Sequence, residues 1–169
     1  ARSSAMILEV GGGTTELMLL QRGKIVGAHS LRIGTVRVEQ QVQPTYGLTS
    51  NDRVEDYLRE SIRVNREVLN TELKLDRVRY FVAVGGDARI VANRVGKKEG
   101  EHFSVIDVSS FKDFLSRLQE RSVEECVREL RLTYTEAEGL VPALLAYRFF
   151  LDETMADQLI VPDVSIREG

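Results

Sequence analysis

The sequence predicts an α/β domain: a mixed five-stranded sheet with helices and a helical insertion. Three observations carry the prediction. Residues Met6 to Leu20, MILEVGGGTTELMLL, place three successive glycines between two apolar runs. From Asn51 the apolar period changes from two to that of a helix. Tyr80 to Val95 then runs as an apolar strand, a diglycine and a second helical pattern.

The elements follow in order. Met6, Ile7, Leu8 and Val10 make a short strand pattern, and Thr15, Leu17, Leu19 and Leu20 resume β-type residues after the glycines. Gln21 to Lys24 is a tight connection, and Ile25 to Leu31 completes a three-stranded antiparallel meander. Apolar character continues through Ile33, Val36 and Val38 around Gly34. Val54, Tyr57, Leu58, Ile62, Val68, Leu69 and Leu73 recur at helical spacing, with Ser50, Asn51 or Asp52 available as N-cap. This helix has about five turns.

Tyr80 to Val84 is a buried strand, and Ala88 to Val95 a helix. Ser110 to Gln119, with a Ser-x-x-Asp start, and Ser122 to Leu130, with Glu125 completing a capping box, are further helices. Thr135 with Glu138 offers another capping box, before an apolar helix ending near Met155. Phe149, Phe150, Leu144 and Leu145 make that last helix core material, to which no chemistry is assigned. Leu159, Ile160, Val161 and Val164 give a terminal strand, and Lys97, Lys98 and Glu99 read as a solvated loop.

Composition excludes several functions. The 169 residues make one domain, or one lobe of a larger protein. No apolar run approaches the roughly 20 residues of a membrane span, so no membrane role is expected. The single cysteine, Cys126, reads as a buried thiol, and a reducing cytoplasm fits it. A net charge of −3 gives no general attraction for nucleic acid, so a polyanion must meet a local concentration of positive groups. Arginine outnumbers lysine 18 to 5, which suits phosphate contacts and equally a codon bias. His29 and His102 have no ligand at zinc spacing, and no Ser-His-Asp constellation is present.

Chemistry concentrates at the glycines. Gly11, Gly12 and Gly13 lack Cβ atoms, so the corner they form can take positive φ and let an anion approach backbone N–H groups. Glu9 and Glu16 bracket that corner. Two carboxylates beside a phosphate site make best sense with a divalent cation or an attacking water between them. A glycine-rich hairpin with solvated acids is the alternative. Gly85 and Gly86 stand between a strand and a helix, where free N–H groups could receive a phosphate oxygen. The two turns should meet across one sheet edge.

This order of elements resembles the ribonuclease H-like lobe that the actin, Hsp70 and sugar kinase superfamily uses twice. Within it, Glu9 to Leu17 (EVGGGTTEL) is similar to the Asp-Ile-Gly-Gly-Gly-Ser-x-Glu signature of the Ppx/GppA family, exopolyphosphatases and guanosine pentaphosphate phosphohydrolases. Ile33-Gly34-Thr35-Val36-Arg37 resembles that family's Leu-Gly-x-Val-Arg segment, and Val84 to Arg89 its second glycine turn. Ser165-Ile166-Arg167-Glu168-Gly169 resembles its Leu-Arg-Glu-Gly, with Asp157 and Ile160 at fitting distances before it.

The resemblance covers nearly the whole chain and implies the C-terminal lobe of a two-lobed enzyme. The partner would be the missing N-terminal lobe of the same protein, which carries the glutamate that activates water, so catalysis by this chain alone would be incomplete. The implied reaction is Mg²⁺-dependent removal of a terminal phosphate from inorganic polyphosphate or guanosine pentaphosphate. Gly11, Gly12, Gly13, Thr14, Gly85, Gly86 and Arg37 would bind phosphate, and Glu9 and Glu16 would hold Mg²⁺ or orient water. Arg167 and Glu168 would lie near the interlobe cleft.

Two residues depart from the family pattern. Glu9 replaces an Asp, and Asp87 stands where a threonine usually follows the diglycine. They leave a non-catalytic polyphosphate- or nucleotide-binding or assembly module of the same fold as the alternative, and a kinase or ATPase of that superfold as a third. A homodimer is among the assemblies the chain admits.

Overall fold

The computed structural model describes residues 3–33 and 50–164. Seven strands form one sheet in the order β3-β2-β1-β4-β7-β6-β5. The predicted meander is present: β1 (Ser4–Val10) pairs antiparallel with β2 (Thr15–Gln21), and β2 with β3 (Lys24–Leu31). The β2–β3 turn is tight because Arg22 and Gly23 both take positive φ, 53° and 75°, the left-handed pair that matches the twist of a two-residue hairpin. The long helix α1 spans Ser50–Glu72, and its cap falls outside the described residues. β4 (Tyr80–Val84) then lies parallel to β1, and α2 (Gly86–Val95) follows directly.

The sheet is two strands wider than predicted. β5 (Lys97–Lys98) pairs antiparallel with β6 (Phe103–Asp107), which pairs antiparallel with β7 (Gln158–Pro162). Lys97 and Lys98 are as exposed as a solvated loop would make them, yet they close the sheet with charge, a common guard on an edge strand. β6 escaped the sequence pattern because only Ile106 of its five residues is buried. β7 pairs parallel with β4 and stops at Pro162, short of Val164.

The helical insertion comprises α3 (Val108–Gln119), α4 (Val123–Leu130) and α5 (Tyr134–Asp152). α3 starts two residues before Ser110, after Asp107, so the Ser-x-x-Asp pattern is inside the helix and caps nothing. The Ser122–Glu125 capping box is present, whereas the box on α5 uses Thr133 and Glu136 and not Thr135 and Glu138. α5 ends at Asp152, three residues earlier than Met155.

α5 is apolar nearly all round, as a helix must be when it is surrounded. It packs against α1, α2, α3, α4 and β1, and Leu140, Leu144, Leu145, Tyr147 and Phe150 are fully buried. The shared core takes Met6, Leu8, Val10, Leu17, Leu19, Phe81, Ala83 and Leu159 from one face of the sheet. Because side chains alternate along a strand, Ile7, Glu9, Glu16, Met18, Val82 and Ile160 occupy the other face, where they are half-buried. The acids therefore point away from the helical core. Cys126 is buried and free, and burial raises its thiol pKa, as its apolar neighbours predicted.

Candidate phosphate-binding edge

β1 and β2 are joined by Gly11 to Thr14, a four-residue turn closed by Gly11 N–H donating to the Thr14 carbonyl at 2.9 Å. The expected positive φ is absent here, since the positive-φ glycines among the described residues are Gly23 and Gly85. What glycine supplies in this turn is slimness. A Cβ on Gly11 would stand 3.1 Å from the Thr14 carbonyl oxygen, while Gly13 has nothing within 4 Å of its Cβ position. Gly12 and Gly13 are exposed, so the tip presents backbone with no side chain over it.

Register places Glu9 directly opposite Glu16 on one face of the sheet. Like charges facing across an antiparallel pair destabilise it. Glu16 Oε1 accepts from the Thr14 and Ser30 hydroxyls, each at 3.0 Å, and Oε2 accepts no hydrogen bond among the described residues. Next to these, Thr15 is fully buried and its hydroxyl donates to the Ile33 carbonyl, fixing the start of β2 to the chain beyond β3.

The second turn meets the first, as predicted. Glu9 is the register partner of Val84, so Val10 and Gly85 leave the parallel β1–β4 pair side by side. Gly85 has φ +121° and ψ 173°, a conformation nearly restricted to glycine. Its Cβ position lies 3.8 Å from Glu9 Cγ and 4.0 Å from the Val10 carbonyl oxygen. The backbone turns there into α2, whose first intrahelical bond is Arg89 N–H to the Gly85 carbonyl at 3.1 Å. The N–H groups ahead of Arg89 begin the helix without partners within it. Gly86 is exposed and open above its Cα.

One side chain holds the turns together. Tyr147 of α5, fully buried, donates its hydroxyl to the Val84 carbonyl at 2.5 Å and accepts from Val10 N–H at 3.3 Å. Burial drives its phenol well above the ordinary 10, and the carboxylates of Asp87 and Glu9 push the same way. The sequence pattern conceals this residue, because the last helix reads as core material throughout. The signal was there: a tyrosine inside an otherwise apolar helix needs a partner for its hydroxyl.

Asp87 lies in the first turn of α2. Burial raises its carboxyl from 3.8 to about 6, the Glu136 carboxylate adds to the rise, and its own backbone N–H opposes it. Arg89 sends Nη1 to the Asp163 carbonyl at 3.4 Å and is not among the charges that set the Asp87 value. The structure thus brings together Glu9, Gly11, Gly12, Gly13, Thr14, Glu16, Gly85 and Gly86. Arg37, Arg167 and Glu168 lie outside the described residues.

Among the described residues no three His, Cys, Asp or Glu side chains group to hold a metal. A closed protein cage is therefore not on offer among the described residues. Two facing carboxylates do suit a hard cation that keeps waters and takes its other ligands from phosphate, which is how Mg²⁺ usually binds. The donor set fits Mg²⁺ in that mode.

Fold and edge together define an α/β domain of the actin-like, ribonuclease H-like fold, with its two glycine turns joined at one end of the sheet. Within that fold class the chain belongs to the Ppx/GppA phosphatase family, whose sequence profile matches residues 1–169. Solved structures agree on the fold. An exopolyphosphatase from Cytophaga hutchinsonii superposes with a TM-score of 0.81 at 16% identity, over 99% of this chain and 55% of that one. The Aquifex aeolicus member of the Ppx/GppA family gives 0.76 at 21% identity, over 99% and 55%. An exopolyphosphatase-like protein gives 0.72 at 13% identity, over 96% and 55%. The chain thus spans about half the length of the structures it matches. No curated protein matches it. No helix among the described residues is long and apolar enough to cross a membrane.

Proposed function

We propose that this chain is the C-terminal lobe of a two-lobed phosphohydrolase that removes the terminal phosphate of inorganic polyphosphate or guanosine pentaphosphate with Mg²⁺. The observation that carries the reading is the joined edge, where the Gly11–Thr14 turn, the Gly85–Gly86 helix start and the facing pair Glu9 and Glu16 are held together by Tyr147. In this reading the exposed amides at Gly12 and Gly13 and the α2 N-terminus receive phosphoryl oxygens. Fixed N–H dipoles stabilise charge that grows on those oxygens without having to reorganise. Glu9 and Glu16 would hold Mg²⁺, which when bound offsets charge on the phosphoryl group. Thr14 and Ser30 fix the direction of the Glu16 carboxylate. The group that activates water would come from the other lobe.

The test is phosphate release from polyphosphate, guanosine pentaphosphate and ATP by the intact protein, with and without Mg²⁺. Glu16→Gln should cut turnover by about 10² or more, the scale of removing one charge-stabilising group, with folding retained. An unchanged rate removes Glu16 from the mechanism. Transfer of phosphate from ATP to an acceptor would point to a kinase instead.

Asp87 favours a second reading, that of a lobe that binds phosphate without hydrolysing it. A carboxylate in the first turn of α2, ionised above about pH 6, opposes a phosphate at that helix start. Tight binding of polyphosphate with no release would support this reading.

A further inference from the structure

The end of the sheet away from the glycine turns has a different character. There β1 begins, α1 ends, and a short 3₁₀ turn, Leu75–Arg77, leads into β4. An open cleft of about 710 Å³ lies between them, lined by Ser4, Gln21, Lys74, Arg77, Arg79 and Met155 together with the last turn of α1. Gln21 also borders a neighbouring depression of about 430 Å³ lined by Arg22 and Lys24. All five cationic side chains are exposed, and none takes part in an ion pair among the described residues. In a chain of net charge −3 this is a local reversal of sign.

The acids nearby are fewer than the cations and leave the cleft net positive. Glu72, on its wall, is engaged by His29 Nε2 at 2.6 Å, and Glu153 pairs with Arg66 at 3.6 Å. Asp76 faces a separate depression beside Lys74. The backbone under the cations is tied down. The Ser4 hydroxyl donates to the Arg77 carbonyl at 2.6 Å and Arg79 N–H to the Ser4 carbonyl at 3.2 Å. Leu75 N–H donates to Asn70 Oδ1 at 3.0 Å.

We infer that this cleft is a second anion site, which takes an extended oligophosphate chain. Guanidinium forks bind phosphate oxygens in pairs, and an ammonium adds a mobile point charge. None of the lining side chains is aromatic, so the cleft lacks the stacking platforms on which single-stranded nucleic acids depend. Chain phosphate without bases is the chemistry it fits. Ser4 and Val10 terminate the seven-residue β1, so the cleft lies about 20 Å from the glycine turns at strand rise. One long chain could reach both. The choice of polyphosphate as the anion rests on the proposed function; the site itself does not.

The test uses the intact protein and fluorescently labelled sodium polyphosphate, with binding followed by anisotropy over a series of KCl concentrations. Lys74→Ala, Arg77→Ala and Arg79→Ala combined should weaken binding at least tenfold. The slope of log affinity against log salt should become shallower by about 2, because each phosphate that the protein no longer neutralises reduces it by about 0.7. Lys74→Arg, Arg77→Lys and Arg79→Lys combined should keep both. Arg121→Ala, which removes an exposed cation paired with Glu129 beyond α3, should leave the slope as in the wild type. Unchanged binding by the alanine variant with an unaltered melting curve overturns the proposal. So does equal or tighter binding of a single-stranded oligouridylate of the same charge. Cleft-dependent binding without any phosphate release supports the site and removes only the hydrolase reading.

Discussion

Tyr147→Phe tests how the two glycine turns are held. The substitution keeps the ring and its packing and deletes one oxygen. That oxygen satisfies two buried backbone groups, the Val84 carbonyl and the Val10 N–H, at 2.5 and 3.3 Å. A buried polar group left without its partner costs about 1 to 3 kcal/mol. The 3.3 Å bond is long, so the carbonyl should dominate and the total should fall near about 2 to 3 kcal/mol. In urea, with a slope of about 2 kcal/mol/M for a protein of this size, the midpoint should drop by about 1 M or slightly more. The slope itself should not change. Because Val10 and Val84 directly precede the two turns, phosphate binding by the intact protein should weaken as well. A midpoint shift under about 0.2 M together with unaltered phosphate affinity would refute the argument and reduce Tyr147 to packing.

Asp87→Asn should stabilise the protein above about pH 6. The native carboxyl titrates at about 6 and an unfolded Asp near 3.9, so between those values the native state binds the extra proton. Wild-type stability should fall as pH rises from about 4 to 6, by up to about 3 kcal/mol, then level off, whereas the Asn variant should show no such decline in urea titrations at each pH. A wild type without that decline would place the carboxyl in solvent. The same variant should bind inorganic phosphate more tightly than wild type at about pH 8, by calorimetry; unchanged affinity would separate Asp87 from the phosphate edge. Gly85→Ala should cost about 1 to 3 kcal/mol, because its φ of +121° suits glycine alone even though a methyl group has room. Gly13→Ala, with open space and no positive φ, should be close to neutral in the same denaturation assay. Equal costs for the two would overturn the conformational argument.

The sequence alone determined much of the architecture. Period-two runs at Met6 to Leu20 and a helical period from Asn51 declare themselves through local alternation, which is a property of the backbone repeat. The capping box at Ser122 and Glu125 was legible for the same reason, since both partners lie within one turn of helix. The Thr133 box was shifted by two residues because Thr135 and Glu138 offer the same spacing, and only the burial of α5 fixes where it starts. β6 was hidden because an outer strand with one buried residue leaves almost no periodic trace. The facing of Glu9 and Glu16 needed only the hairpin register. That Gly85 rests against Glu9, that Asp87 is desolvated beside Glu136, and that Tyr147 ties Val10 to Val84 are interactions between residues far apart in sequence. They depend on how α5 settles against the parallel β1–β4 pair. The same holds for the basic cleft, where Arg22 and Lys24 at the β2–β3 turn meet Lys74, Arg77 and Arg79 of the α1–β4 connection only at the end of the folded sheet.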